Sequence, residues 1–286
     1  MKRVVILDSG LGGLNVAARY FAPGLAGEPC ELVYFNAYPS PDGGFNKLPT
    51  DRAREDLLQE VFSAVAELAP DRCILACNTL SIVAERLFSR FRPPFPVLGI
   101  VDAAVSGMRA ALERDPSCPL LILGTKSTVA SGLYAARLTA AGIAPDRIRS
   151  LACPGLATLL ESGPGSPEAA ARIRTAAREA AALFPVRPAR LLLGLCCTHF
   201  GFAAPVWRRE FADVFGGQIE IVDPNGLLGG ECPAASFRYL AKIALFPGAA
   251  EGIGAVFRHS TPPIAEALRN ARPMPDLFKF DYVVKG

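Results

Sequence analysis

Ile74-Leu75-Ala76-Cys77-Asn78-Thr79 and Leu193-Gly194-Leu195-Cys196-Cys197-Thr198-His199 are two versions of one pattern. In each, a short apolar run stops at a cysteine followed by small polar residues. Runs of this length suit strands of a parallel sheet covered on both faces. The runs Cys73–Ala76 and Leu191–Leu195 are joined by Val4–Leu7, Leu32–Phe35, Val97–Ile100 and Leu120–Leu123. Between them lie helical patterns. Asp51–Leu68 sets Ala53, Leu57, Leu58, Val61, Val65 and Leu68 on one side, and Pro167–Leu183 starts with Ser166 ahead of Pro167 and Glu168, a capped helix start. Strands alternating with helices predict an α/β fold with right-handed crossovers.

The interval from Asp8 to Thr125, each just past an apolar run, nearly equals that from Cys77 to Cys197. Two related lobes are therefore expected, each with a strand-terminal cysteine. Ligands of open parallel sheets sit at the carboxyl ends of the strands. The expected architecture is α/β, with two pseudo-symmetric open parallel-sheet lobes and the active site in the cleft between them. The first lobe takes residues 1–100 and 208–286, the second 101–207. Gln218–Val222, Val256–His259 and a closing Phe278–Val284 read as strands returned to the first lobe.

The 286 residues are 51% hydrophobic and 20% charged, enough for buried cores and unlike a disordered chain. A net charge of +3 without a basic cluster argues against nucleic acid as a partner. The longest apolar runs fall well short of the roughly 18 residues a membrane span requires. Val4–Leu7 is too short for a signal peptide's apolar core, so the cytoplasm is the expected compartment. Eight cysteines have little use there as disulfides, and with two histidines and no Cys-x-x-Cys a structural zinc site is not expected. Gly10-x-Gly12-Gly13 after a strand resembles a dinucleotide fingerprint, but Asn15 stands where its third glycine belongs and Asn36-Ala37 where its acid belongs.

Each strand-end cysteine alone reads as a buried apolar residue, but the pair suggests chemistry. Inverting a carbon stereocentre by proton transfer requires one group to remove a proton from one face and another to deliver one to the other. A thiol, with a pKa near 8.5, can be tuned for both roles.

Asp8-Ser9-Gly10-Leu11-Gly12-Gly13-Leu14, Ala76-Cys77-Asn78-Thr79, Gly124-Thr125-x-x-Thr128 with Ser131 and Tyr134, Cys153-Pro154 with Glu161-Ser162-Gly163, and Cys197-Thr198-His199 occur in the order seen in the glutamate racemase family. The chain resembles that family over roughly residues 4–202, within the aspartate/glutamate racemase superfamily. The resemblance implies a cofactor-independent isomerase that interconverts L- and D-glutamate in the cytoplasm and supplies peptidoglycan biosynthesis. It implies Cys77 and Cys197 as proton-transfer groups, with Asp8 assisting the first and holding the substrate ammonium, and His199 assisting the second. Ser9, Asn78, Thr79, Thr125, Thr128, Glu161 and Thr198 become substrate-binding residues, and a homodimer is compatible with the family.

The segment Tyr34–Phe45 departs from the family. A Gly-Asp pair is replaced at Asn36-Ala37, and matching Pro41 to the proline of the family's Pro-Tyr-Gly sets Asp42 at the tyrosine, whereas an ungapped match puts Gly43 there. These two positions belong to the expected substrate-binding set, where an aspartate facing a glutamate side chain would repel it. A racemase of another amino acid therefore stays open, as do a superfamily decarboxylase or isomerase and a non-catalytic binding protein. The Tyr38–Thr50 segment reads either as a surface loop or as a lid over the cleft.

Overall fold

Successive residues of β1 (Lys2–Asp8) face opposite cores: Val5 and Leu7 join one buried cluster, Val4 and Ile6 another. Leu121 and Leu123 of β5 (Leu120–Gly124) divide from Leu120 and Ile122 in the same way. A strand apolar on both sides must be covered on both sides, which is why these runs carry no polar alternation. The computed structural model describes residues 1–280 and sets such strands in two separate sheets.

In the first sheet β2 (Cys30–Asn36), β3 (Arg72–Leu75) and β4 (Val97–Gly99) pair around β1 in the order β4-β3-β1-β2. In the second, β6 (Ile148–Ala152), β7 (Arg190–Cys196) and β8 (Gln218–Val222) pair around β5 in the order β8-β7-β5-β6. The two orders correspond strand for strand, and all these pairings are parallel. A ninth strand, β9 (Ala234–Ala241), adds to the first sheet alone, parallel to β2.

The return of the chain differs from expectation. Gln218–Val222 does not go back to the first lobe. It pairs with β7 from Arg190↔Gln218 to Gly194↔Val222, and its Ile219 and Ile221 pack on the second lobe's core. Val256–His259 is no strand either: it overlaps the end of helix Ala249–Phe257, whose Ile253 and Phe257 share a core with Ile264 and Leu268 of helix Pro262–Arg269. The returning strand is β9. Phe278 is buried in the first lobe without strand pairing, and residues 281–284 of the expected closing strand lie outside the described residues.

Both predicted long helices form. Thr50 caps Asp51–Glu67 by accepting from Ala53 N at 3.1 Å, and Ser166 caps Pro167–Ala181 by accepting from Ala169 N at 3.1 Å. Each such cap contributes about 1 kcal/mol. Among the described residues no helix is long and apolar enough to cross a membrane.

Candidate active site

Cys77 immediately precedes helix Asn78–Leu87, and Cys197 precedes the 3-10 turn Thr198–Ala203. Both thiols line one cleft of about 490 Å³ between the lobes, each only 6–7% exposed. The flanking groups differ. Ser9 Oγ lies 3.2 Å from Cys77 Sγ, while His199 Nδ1 lies 3.8 Å from Cys197 Sγ. Burial, with the nearby charge of Asp8, pushes the Cys77 thiol up to about 12. The same thiol stands at a helix N-terminus, which favours a thiolate, but burial wins here.

The far nitrogen of His199 meets Glu161 Oε1 at 2.6 Å, and that oxygen also accepts from Leu11 N at 3.0 Å. Burial opposes a charge on the imidazole. Hydrogen bonds and charge attraction to Cys197 and Glu161 outweigh it and hold the His199 pKa well above the usual value. Asp8 is fully buried, and burial pushes its carboxyl up to about 6 against the charge of His199 and the hydrogen bond from Thr198 Oγ1 to Oδ2 at 3.0 Å.

Four buried side-chain polar atoms among the described residues lack a hydrogen-bond partner. Two of them, Asp8 Oδ1 and Asn78 Nδ2, belong to residues lining this cleft. One is an acceptor and the other a donor, each left unmet at a cost of about 1–3 kcal/mol. An ammonium and a carboxylate on one small molecule are the groups that complement them.

The glycine-rich loop has a packing origin. A Cβ on Gly12 would collide with Thr198 Oγ1 and with the backbone nitrogen of His199, so the first lobe's loop can lie against the second lobe's Thr198–Ala203 turn only as glycine.

A family model described as Asp/Glu/Hydantoin racemase matches residues 19–228. The chain belongs to this family. It is an amino-acid racemase, an isomerase. Glutamate racemase from Lysinibacillus sphaericus is 28% identical over 224 residues, covering 76% of this chain and 75% of that protein. Glutamate racemase from Aquifex aeolicus is 28% identical over 230 residues, covering 78% and 79%. The crystal structure of glutamate racemase from Campylobacter jejuni superposes with a TM-score of 0.66 at 21% identity, covering 90% of this chain and 98% of that one. That likeness extends the shared two-lobed fold across almost the full length.

Within this racemase the structure brings Asp8, Ser9, Gly43, Cys77, Asn78, Thr79, Thr125, Glu161, Cys197, Thr198 and His199 to one cleft. Thr128 stands one layer behind, its hydroxyl 3.0 Å from that of Thr125 and 3.5 Å from that of Thr79. Asp42 does not line the cleft. It is exposed, and its carboxylate accepts from Ser40 Oγ at 3.3 Å in a tight turn, so the expected repulsion with an acidic substrate has no geometric basis. The turn instead presents Lys47, whose Nζ donates to the Asp42 carbonyl at 2.9 Å and which lines the cleft.

Sequence reasoning missed Lys47, Lys126, Tyr38 and Phe246. Lys126 had an available signal, since it follows the Thr125 strand end directly. Phe246 had none, because it reaches Tyr38, at 5.2 Å between ring centroids, only through the return of the chain. The Tyr38–Thr50 segment forms a wall of the cleft. It is anchored by buried Phe45 and Leu48, whose carbonyls accept from Arg54 at 3.1 and 2.6 Å.

Proposed function

We propose that the protein interconverts L- and D-glutamate by moving the Cα proton between Cys77 and Cys197. The observation that carries this reading is the pair of thiols, presented by corresponding strands of the two lobes to one cleft. Asp8 Oδ1 receives the substrate ammonium. Asn78 Nδ2 and the hydroxyls of Thr79 and Thr125 receive the α-carboxylate, where the negative charge of the deprotonated carbon is delocalised. Lys47 and Lys126 supply positive charge for a side-chain carboxylate, and the names of the relatives agree with glutamate.

In one direction the Cys197 thiolate, beside the charged His199, takes the Cα proton and becomes a thiol. Cys77, held protonated by its burial, delivers its proton to the opposite face and becomes the thiolate. The reverse reaction uses the same groups in exchanged roles, with Ser9 as hydrogen-bond partner of the Cys77 thiolate. The substrate loses one proton and gains one, so no oxidant and no second substrate is required. Cysteines kept as thiols suit the cytoplasm.

The test is circular dichroism or chiral chromatography of each enantiomer of a panel of amino acids incubated with purified protein. Glutamate is expected to racemise fastest. Turnover of a different amino acid with glutamate inert would overturn the substrate, and turnover of none would overturn the activity.

A further inference from the structure

The peptide unit of Thr198, which links Cys197 to His199, is held from three sides. Its carbonyl accepts from Asn15 Nδ2 at 3.2 Å and from Asn225 Nδ2 at 2.9 Å, while its hydroxyl donates to Asp8 at 3.0 Å. A carbonyl only accepts, so both asparagines must turn their amide nitrogens toward it. For Asn225, 2% exposed, this leaves Oδ1 buried without a partner. The fold tolerates an unmet acceptor at this one amide and so keeps a double clamp on a single carbonyl.

The surroundings of Asn225 are shaped for the clamp. Asn225 N donates to Asp223 Oδ1 at 3.1 Å, which fixes the turn Pro224–Leu227. A Cβ on Gly201 would collide with Asp223 Oδ2 and approach Asn225 Nδ2 to 2.8 Å, so glycine at 201 lets the pair close on the catalytic turn. Asn15 reaches the same carbonyl from the opposite lobe.

The need for a clamp follows from what comes after each thiol. Cys77 is fixed by a ten-residue α-helix, with Ser81 N donating to its carbonyl at 2.9 Å. Cys197 leads first into a six-residue 3-10 turn and only then into helix Ala204–Phe215. Phe200 N donates to the Cys197 carbonyl at 2.9 Å, but the i→i+3 hydrogen bonds of such a turn have poorer geometry than those of an α-helix.

We propose that Asn225 and Asn15 are positioning residues for the reaction, holding the Thr198 peptide so that the Cys197 thiol meets the substrate α-carbon. This rests on the two-thiol reading above. It assigns the asparagines to one proton transfer of the two, and that is what distinguishes it from general support of the fold.

The experiment measures racemisation and solvent exchange of each glutamate enantiomer in D2O for wild type, Asn225→Ala, Asn15→Ala and Cys197→Ser. Loss of Cys197 leaves Cys77 free to remove a proton and return a deuteron to the same face, so one enantiomer exchanges without inverting. Asn225→Ala should lower kcat about tenfold, as expected for a displaced reacting group. It should raise the ratio of exchange to racemisation for the enantiomer that Cys197→Ser exchanges, and not for the other. Asn15→Ala should shift the ratio in the same sense by less, and serves as the readout if Asn225→Ala does not fold. Equal ratios for both enantiomers, or an unchanged kcat in both variants, overturn the proposal while leaving the activity standing. Wild type inert on both enantiomers overturns the functional reading and this inference with it.

Discussion

The first lobe runs its strands in the order β4-β3-β1-β2 and the second in the order β8-β7-β5-β6, yet the thiols they present have unlike companions. Cys77 has a hydroxyl at 3.2 Å and a buried carboxylate from the neighbouring strand end. Cys197 has an imidazole at 3.8 Å that is itself paired with a carboxylate. The sheets therefore fix where the two thiols stand, and the residues after each strand decide the company each keeps, with burial and Asp8 favouring the protonated form of Cys77. A substrate of either hand meets a site that is symmetric in outline and asymmetric in charge.

Removing either thiol breaks the symmetry outright. Cys77→Ser and Cys197→Ser should each lower racemisation by about 10³-fold or more, within the range of a lost acid–base group, as read by polarimetry. Racemisation near the wild-type rate in either variant would refute the two-sided scheme.

The next effect concerns the first lobe's carboxylate. Asp8 moves from an ordinary 3.8 to about 6 on folding, chiefly through burial. Between those values the folded protein holds a proton that the unfolded chain has lost. The contribution of Asp8 to stability is thus full below about pH 4 and is lost as pH rises through 6, by about 3 kcal/mol in all. Urea unfolding of wild type and Asp8→Asn across this range should show that difference in slope, and the acid limb of activity should fall near pH 6.

The corresponding change in the second lobe is Glu161→Gln, which removes the charge that sustains protonated His199. Its pKa should drop and the alkaline limb of the pH–rate profile should move to lower pH, with about a tenfold fall in kcat at neutral pH. The smallest effect tests the scaffold itself. Thr50→Ala and Ser166→Ala remove corresponding helix caps from the two lobes, and each should cost about 1 kcal/mol in chemical denaturation without altering the pH profile.

Much of this candidate site was legible in the sequence because its cysteines stand at strand ends, where an apolar run stops and a polar residue must have a purpose. Cys77 and Cys197 follow from that rule, whereas Asp8 and His199 take their expected roles from the resemblance to the glutamate racemase family. Strands at the sheet edges were harder to see. β6 reads Ile148-Arg149-Ser150-Leu151-Ala152, and β9 carries Ser236 and Arg238, so neither shows an unbroken apolar run. β8 was visible as a strand but not as a member of the second sheet, although it corresponds to β4. Ala249–Phe257 escaped detection because Gly252 and Gly254 weaken a helical pattern that tertiary packing completes. Asp42 and Lys47 depended on how the six residues from Asp42 to Lys47 fold back on themselves, which composition alone does not determine.

The pairing of β9 with β2 also sets the timetable of synthesis. The edge of β2 is complete at Asn36, but its partner begins at Ala234, roughly 200 residues later. At about 5–20 residues per second the nascent first lobe waits roughly 10–40 s with a buried-type strand uncovered. The whole second sheet is made in that interval. An unprotected strand edge invites pairing with other chains, so the ribosome-bound intermediate, rather than the finished racemase, is where a chaperone has most to protect.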